Sequence, residues 1–236
     1  MKKTLFFGII FTFCLFVAAC SLCVGALRSP VPVFAVKGGA SIVLDAGHGG
    51  VDGGVSGKNT GVKESDLNLS ITLKLREILE DAGFDVTLTR KTEAGLYGAA
   101  TKGFKKRDMQ KRKEIVENAH PAFVVSVHQN FYPSGATRGG QVFFLKGDED
   151  GKAFATAIQE SVNALYQTRN VRKRTASAAE YFLLKCAPCP SVIVECGFLS
   201  NAEDERLLCD GTWQKKIASA IFSGILAYLE TTQTAL

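Results

Sequence analysis

Short runs of β-branched and apolar residues alternate along this chain with longer segments of helical period. Ser41–Leu44 (SIVL), Asp85–Thr89 (DVTLT), Phe123–Val127 (FVVSV), Gln141–Leu145 (QVFFL), Tyr181–Leu184 (YFLL) and Ser191–Glu195 (SVIVE) read as strands. Ser65–Ala82 carries Leu67, Ile71, Leu75, Ile78 and Leu79 at helical intervals and stops at Gly83. Lys105–Ala119, Gly151–Tyr166 and Thr212–Leu229 read as further helices, the last with Ile217, Ile221, Ile225 and Leu229 on one face. Strands joined through helices pair in parallel, because a helical crossover returns the chain to the edge it left. The expected fold is α/β: one domain over residues 41–230, a mainly parallel sheet flanked by helices on both faces, and a tail at 231–236. The 236 residues suffice for one such domain with a full hydrophobic core.

Ligands of open α/β sheets bind beyond the carboxyl ends of the strands. His48, His128 and Glu195 stand at such ends, and Glu64 lies just before the first long helix. Zinc takes imidazole nitrogen and carboxylate oxygen, and a catalytic site keeps one position open for water. His48, Glu64 and His128 supply such a set. Glu195, delivered to the same edge by its strand, suits a general base toward the water. Gly47, Gly49 and Gly50 around His48 allow a tight turn and close approach of the backbone to a metal and a bulky substrate.

Each residue has an ordinary reading beside this one. A strand-end histidine can be structural, Glu64 can serve the helix dipole, and Glu195 can pair with an arginine. Only the joint placement points to metal-dependent hydrolysis. His120, before Pro121, reads as a surface turn residue, and Asn130 as a group that orients substrate or a metal ligand. Arg90 and Arg112 read as partners of structural acids. The run Arg169, Arg172, Lys173 and Arg174 reads as a solvated loop, with a grip on peptide carboxylates as the alternative. GVSGKNT at 54–60 fails as a phosphate loop, since Asp52 and Asn59 stand where the pattern needs glycine and a hydroxyl.

The first 27 residues are expected to lie outside the fold. After Met1-Lys2-Lys3, the stretch Thr4–Leu27 has no charged residue, which marks an export signal and is long enough to span a bilayer. An uncleaved anchor, a cleaved signal and a lipoprotein with Cys20 lipidated all remain open, and each places Arg28–Leu236 outside the cytoplasm. Residues 28–40, with Pro30 and Pro32, form a linker. Without Lys2 and Lys3 the chain carries 26 basic and 23 acidic residues, which suits an anionic wall polymer and excludes a nucleic-acid footprint. Cys186, Cys189, Cys196 and Cys209 do not make a disulfide framework; thiols, or one bond between Cys186 and Cys189, are expected.

LDAGHGGVDGG at 44–54, KES at 63–65, SVHQN at 126–130 and VECGFLSN at 194–201 resemble the zinc-dependent N-acetylmuramoyl-L-alanine amidases of the Amidase_3 family. The resemblance runs from about Ser41 to Leu229. It implies a six-stranded sheet, one zinc ion held by His48, Glu64 and His128, Glu195 as catalytic acid and base, and peptidoglycan as substrate. ATKGFKKRDMQKR at 100–112, the chain length and a single apolar segment without wall-binding repeats resemble the spore-cortex branch. That branch removes the stem peptide from muramic acid ahead of muramic δ-lactam formation. Gln129 stands where the family carries a small or apolar residue, and Cys196 follows the catalytic glutamate; both bear on substrate preference. Two competing readings are a zinc peptidase cutting within the stem peptide and a non-catalytic peptidoglycan binder. No insertion is long enough to plug the site, which leaves low zinc affinity or an activator protein as the expected restraint.

Overall fold

The computed structural model describes residues 39–233. The expected signal or anchor at 1–27, and nearly all of the linker at 28–40, lie outside the described residues. Six strands form one sheet: β1 (Ser41–Ala46), β2 (Asp85–Leu88), β3 (Phe123–Asn130), β4 (Gln141–Leu145), β5 (Ser177–Ala179) and β6 (Ser191–Phe198). Their order is β2-β1-β3-β6-β4-β5. Only the β4–β6 pair is antiparallel. The helices are α1 (Glu64–Asp81), α2 (Phe104–Ala119), α3 (Glu149–Gln167), α4 (Phe182–Cys186), α5 (Ala202–Leu208) and α6 (Gly211–Gln233).

The two faces of the sheet are covered unequally. Ile42 and Leu44 of β1, Val125 and Val127 of β3, and Val192 and Val194 of β6 point to one side. There they meet the apolar faces of three long helices, through Ile71 and Leu75 of α1, Phe154 and Ile158 of α3, and Ile221 and Ile225 of α6. The intervening Val43 and Val124 point to the other side, where only α2 and α4 cover them through Val116 and Leu183. Side chains alternate along a strand with period two. Continuing that count past the thin cluster brings Asp45, Ser126, His128 and Glu195 to the same face. The thin side is thus where polar residues collect.

Several elements differ from the sequence reading. Tyr181–Leu184 is not a strand: Phe182–Cys186 is the short helix α4, and the edge strand is Ser177–Ala179. A run of four apolar residues does not distinguish strand from helix. Here Leu183 and Leu184 are buried while Tyr181 and Phe182 are exposed, the paired pattern of a helix rather than the alternation of a strand. The helix α5 adds an element that the alternation does not reveal. α6 runs to Gln233, past the expected end at Leu229 and into the expected tail. All four cysteines of the described residues are free thiols.

Candidate metal centre

The site is built where β1 and β3 end and α1 begins. β1 leaves the sheet through Ala46 and Gly47, and His48 adopts a left-handed conformation with φ 60°, followed by Gly49 at 137° and Gly50 at 64°. The glycines have specific reasons. A Cβ on Gly47 would overlap the His128 ring, and one on Gly54 would meet the Glu64 carboxylate and the His48 ring.

Two buried arginines hold this turn from below. Arg112 of α2 donates to the carbonyls of Ala46 (2.8 Å) and His48 (2.6 Å), and its charge is met by Asp45 and by Asp108. Arg90 donates to the carbonyls of Ala46, Gly47 and Ser65 at 2.7–3.0 Å. The expected pairing with acids therefore holds for Arg112, whereas Arg90 is held by carbonyl oxygens. Burial alone would raise the Asp45 carboxyl, but Arg112 and the Ser126 hydroxyl outweigh it and keep it at about 2.

Glu64 is the first residue of α1 and is buried. Its Oε2 lies 3.4 Å from His48 Nε2 and accepts from Val55 N, and its Oε1 lies 2.9 Å from His128 Nδ1 and accepts from Gln129 N. One nitrogen or oxygen atom from each of His48, Glu64 and His128 falls within 4.8 Å of the other two. The imidazoles meet edge to face with centroids 5.1 Å apart. Burial would raise the Glu64 carboxyl, but the hydrogen bonds of His128 and His48 hold it well below the usual carboxylate range.

Two imidazoles and one carboxylate converging from separate elements match the donor set of a divalent metal with an open position. The surroundings fit as well. His48 turns its Nδ1 to Asp52 at 3.1 Å, the carboxylate support that fixes a ligating imidazole. Asn68, one turn along α1 from Glu64, donates to Glu64 Oε1 and to the Gly47 carbonyl. The spacing i, i+4 that links Glu64 to Asn68 and His48 to Asp52 is visible in the sequence, but the sequence reading singles out neither Asn68 nor Asp52 as a support.

Glu195 of β6 is in register with His128 of β3, and both line a cavity of about 450 Å³ that also contains His48 and Glu64. Burial pushes the Glu195 carboxyl up to about 7, with the imidazoles opposing and the Glu64 charge reinforcing. Its Oε2 has no hydrogen-bond partner among the described residues. Among the described residues no arginine pairs with it, so they give the ordinary reading of this residue no support. Cys196, one residue on, faces the opposite side of the sheet within the main core, and burial raises its thiol far above the usual range. It has no access to the cavity.

Asn130 lies past a register shift in β3, and its side chain accepts from Phe131 N at 2.8 Å instead of lining the cavity. His120 is an exposed residue closing α2, as expected. In the basic run, Lys173 meets Glu160, Arg169 lies over Trp213 and Arg174 over Phe198.

A family profile described as N-acetylmuramoyl-L-alanine amidase matches residues 42–227, nearly all of this sheet and its helices. The chain belongs to the N-acetylmuramoyl-L-alanine amidase family. The germination-specific N-acetylmuramoyl-L-alanine amidase of Bacillus subtilis (strain 168) is 32% identical over 196 residues, 80% of each chain. AmiA of Escherichia coli (strain K12) is 28% identical over 79% of this chain and 75% of its own. Among solved structures, the CwlD amidase from Clostridioides difficile, in complex with the GerS lipoprotein, has a TM-score of 0.78 at 39% identity. That match covers 81% of this chain and 99% of CwlD. The protein is thus a peptidoglycan amidase, acting on the bond between N-acetylmuramic acid and L-alanine.

Proposed function

We propose that this amidase is a one-zinc enzyme of the spore cortex. The observation that carries the metal is the convergence of His48, Glu64 and His128 beside Glu195, a half-buried carboxyl whose Oε2 has no hydrogen-bond partner among the described residues. Zinc bound there would supply Lewis acidity toward the scissile carbonyl and the attacking water. The protein's own part rests on Glu195. As carboxylate it takes a proton from the water while the water oxygen bonds to the lactyl carbonyl carbon. As carboxylic acid it returns that proton to the L-alanine nitrogen as the carbon–nitrogen bond breaks. Burial raises this carboxyl while nearby positive charge lowers it, so a bound divalent ion would favour the carboxylate that takes the water's proton. Glu64, held ionised, and Asp52, behind His48, keep the donors oriented.

The cortex assignment is supported by the germination-specific relative and by CwlD. An extracytoplasmic site of action, with the chain exported through its uncharged Thr4–Leu27 segment and anchored or released, is part of the same proposal. Among the described residues no helix is long and apolar enough to cross a membrane. The lipoprotein complex of CwlD supports an activator protein for this chain too.

The test is full-length protein incubated with peptidoglycan, with added zinc and with a chelator, and the products read by mass spectrometry. Release of intact stem peptides with N-terminal L-alanine, abolished by the chelator, is expected; shortened stems would assign a peptidase instead. Glu195→Gln should retain bound zinc, measured by elemental analysis, and lose at least about a hundredfold in turnover. Unchanged turnover in that variant would remove Glu195 from the mechanism.

A further inference from the structure

The cavity has two unlike walls, and together they imply how the substrate lies. One wall is the start of α4. Tyr181 and Phe182 are each 45% exposed, among the few large apolar side chains left open to solvent, and both line the cavity. They are not loose. Tyr181 is held edge to face against Phe143 of β4, with centroids 5.7 Å apart, and the next two residues, Leu183 and Leu184, are buried. Another part of the lining, on the His48 side of the centre through Asp52, is the first turn of α2. It presents Lys105, which is 67% exposed and reaches Asp52 Oδ1 at 3.3 Å.

Two of the residues lining the cavity carry permanent positive charge, Lys105 and Arg112. Arg112 is 2% exposed and fully engaged by Asp45, Asp108 and two carbonyls, so it has nothing to offer a ligand. Lys105 alone is free to turn. Its contact with Asp52 is part-exposed and screened, a kind of pair that contributes little, and an ammonium on a four-carbon stem has other positions within reach. Asp52 keeps its contact with His48 Nδ1 when Lys105 leaves.

We propose that the walls divide the substrate: the α4 aromatics take the apolar face of the muramic sugar, and Lys105 selects a free carboxylate on the stem peptide. The inference rests on the amidase reading above. The stem residue after L-alanine carries a carboxylate in some walls and an amide in others, and it stands one residue from the bond to be cut, at most about 7 Å of extended chain. Lys105 is one side chain removed from His48, so the span fits. Rigid aromatic faces suit a pyranose ring, which offers C–H groups and needs no charge. Lys105 stands by Asp52 and His48 while Tyr181 senses the Glu195 charge, so the two groups flank different residues of the centre at which the bond between sugar and peptide is cut.

The experiment compares two synthetic muramoyl peptides, one with the free carboxylate and one amidated at that residue, by kcat/KM with zinc-loaded full-length protein. Lys105→Gln should cost about two- to fivefold more on the carboxylated than on the amidated substrate. Phe182→Ala should lower both by the same factor, because the sugar is common to them. An equal loss on both substrates for Lys105→Gln would overturn the carboxylate assignment and leave Lys105 as a support for Asp52. A loss for Phe182→Ala that depends on amidation would overturn the division of walls. Failure of the unsubstituted enzyme to cut either substrate would instead count against the amidase reading itself.

Discussion

At the scale of single residues, the convergence of His48, Glu64 and His128 was legible because metal chemistry restricts the choice of side chain. The chain has three histidines, and two of them stand at strand ends on the same edge of the sheet. The supports were less legible, because a carbonyl oxygen leaves no mark in a sequence: the Arg90 and Arg112 contacts to Ala46, Gly47 and His48 depend on where the turn lies in space. Gly47 shows the difference. Sequence suggested a tight turn, whereas the structure gives a steric reason, the ring of His128. Gly47→Ala should therefore displace His128, costing about 1–3 kcal/mol in stability and most of the metal affinity. Calorimetric titration with zinc would check this; tight binding by the variant would show that His128 can yield. Asp45 gives the pH prediction. Its folded carboxyl sits at about 2, below its ordinary value, so the unfolded chain takes up the proton first as pH falls. The stabilisation, about 2 kcal/mol, is complete above about pH 5 and is lost between about pH 4 and pH 2. Asp45→Asn should lower Tm near neutrality by several degrees, since Arg112 loses a buried partner, and should flatten the acid limb of the Tm profile. An unchanged acid limb would assign that limb to other carboxylates.

At the scale of elements, length decided what could be read. The long helices α1, α3 and α6 announced themselves by period, α2 by its basic run ending before Pro121, and the central strands by their apolar runs. β5 and α5 did not, being three and seven residues long. α5 nonetheless has its signals. Asn201 caps it by accepting from Glu203 N and Asp204 N, and three acidic residues fill its first turn. Those residues serve tertiary contacts as well. Glu205 accepts from Asn59 N and Thr60 N at 2.6–3.0 Å, which pins the loop that leads to α1, and Asp204 accepts from Gly139 N and Phe198 N. The same loop supplies Val55 N to Glu64. Glu205→Ala should leave the sheet intact and speed amide exchange at Asn59 and Thr60 by at least about tenfold, since one carboxylate satisfies both. Exchange as slow as in the parent would mean that the glycines of this loop already fix it.

At the scale of the whole molecule, the centre sits where β1, β3 and α1, already packed on one another in the core, come together. His48 comes from the end of β1, Glu64 from the start of α1 and His128 from β3, so a metal there would tie together segments up to 80 residues apart in sequence. A ligand that binds only the folded chain stabilises it by mass action, by about 2.7 kcal/mol at a hundred times its Kd. For a domain of this size that corresponds to about 5–10 °C in Tm. Saturating zinc should therefore raise Tm by that amount, and a chelator should reverse it. The size of the rise bears on restraint. The donors are already oriented by Asp52, Asn68 and Gln129, so a weak response in the isolated protein would not come from a disordered site. It would point to the protons that occupy the same atoms: Glu64 is within reach of both imidazoles, and each contact must be given up for the metal to enter. His48→Ala separates the cases. It removes one donor and one of the competing contacts, so a zinc-dependent rise abolished in this variant places the ion at the His48–Glu64–His128 centre, and a rise that persists places it elsewhere.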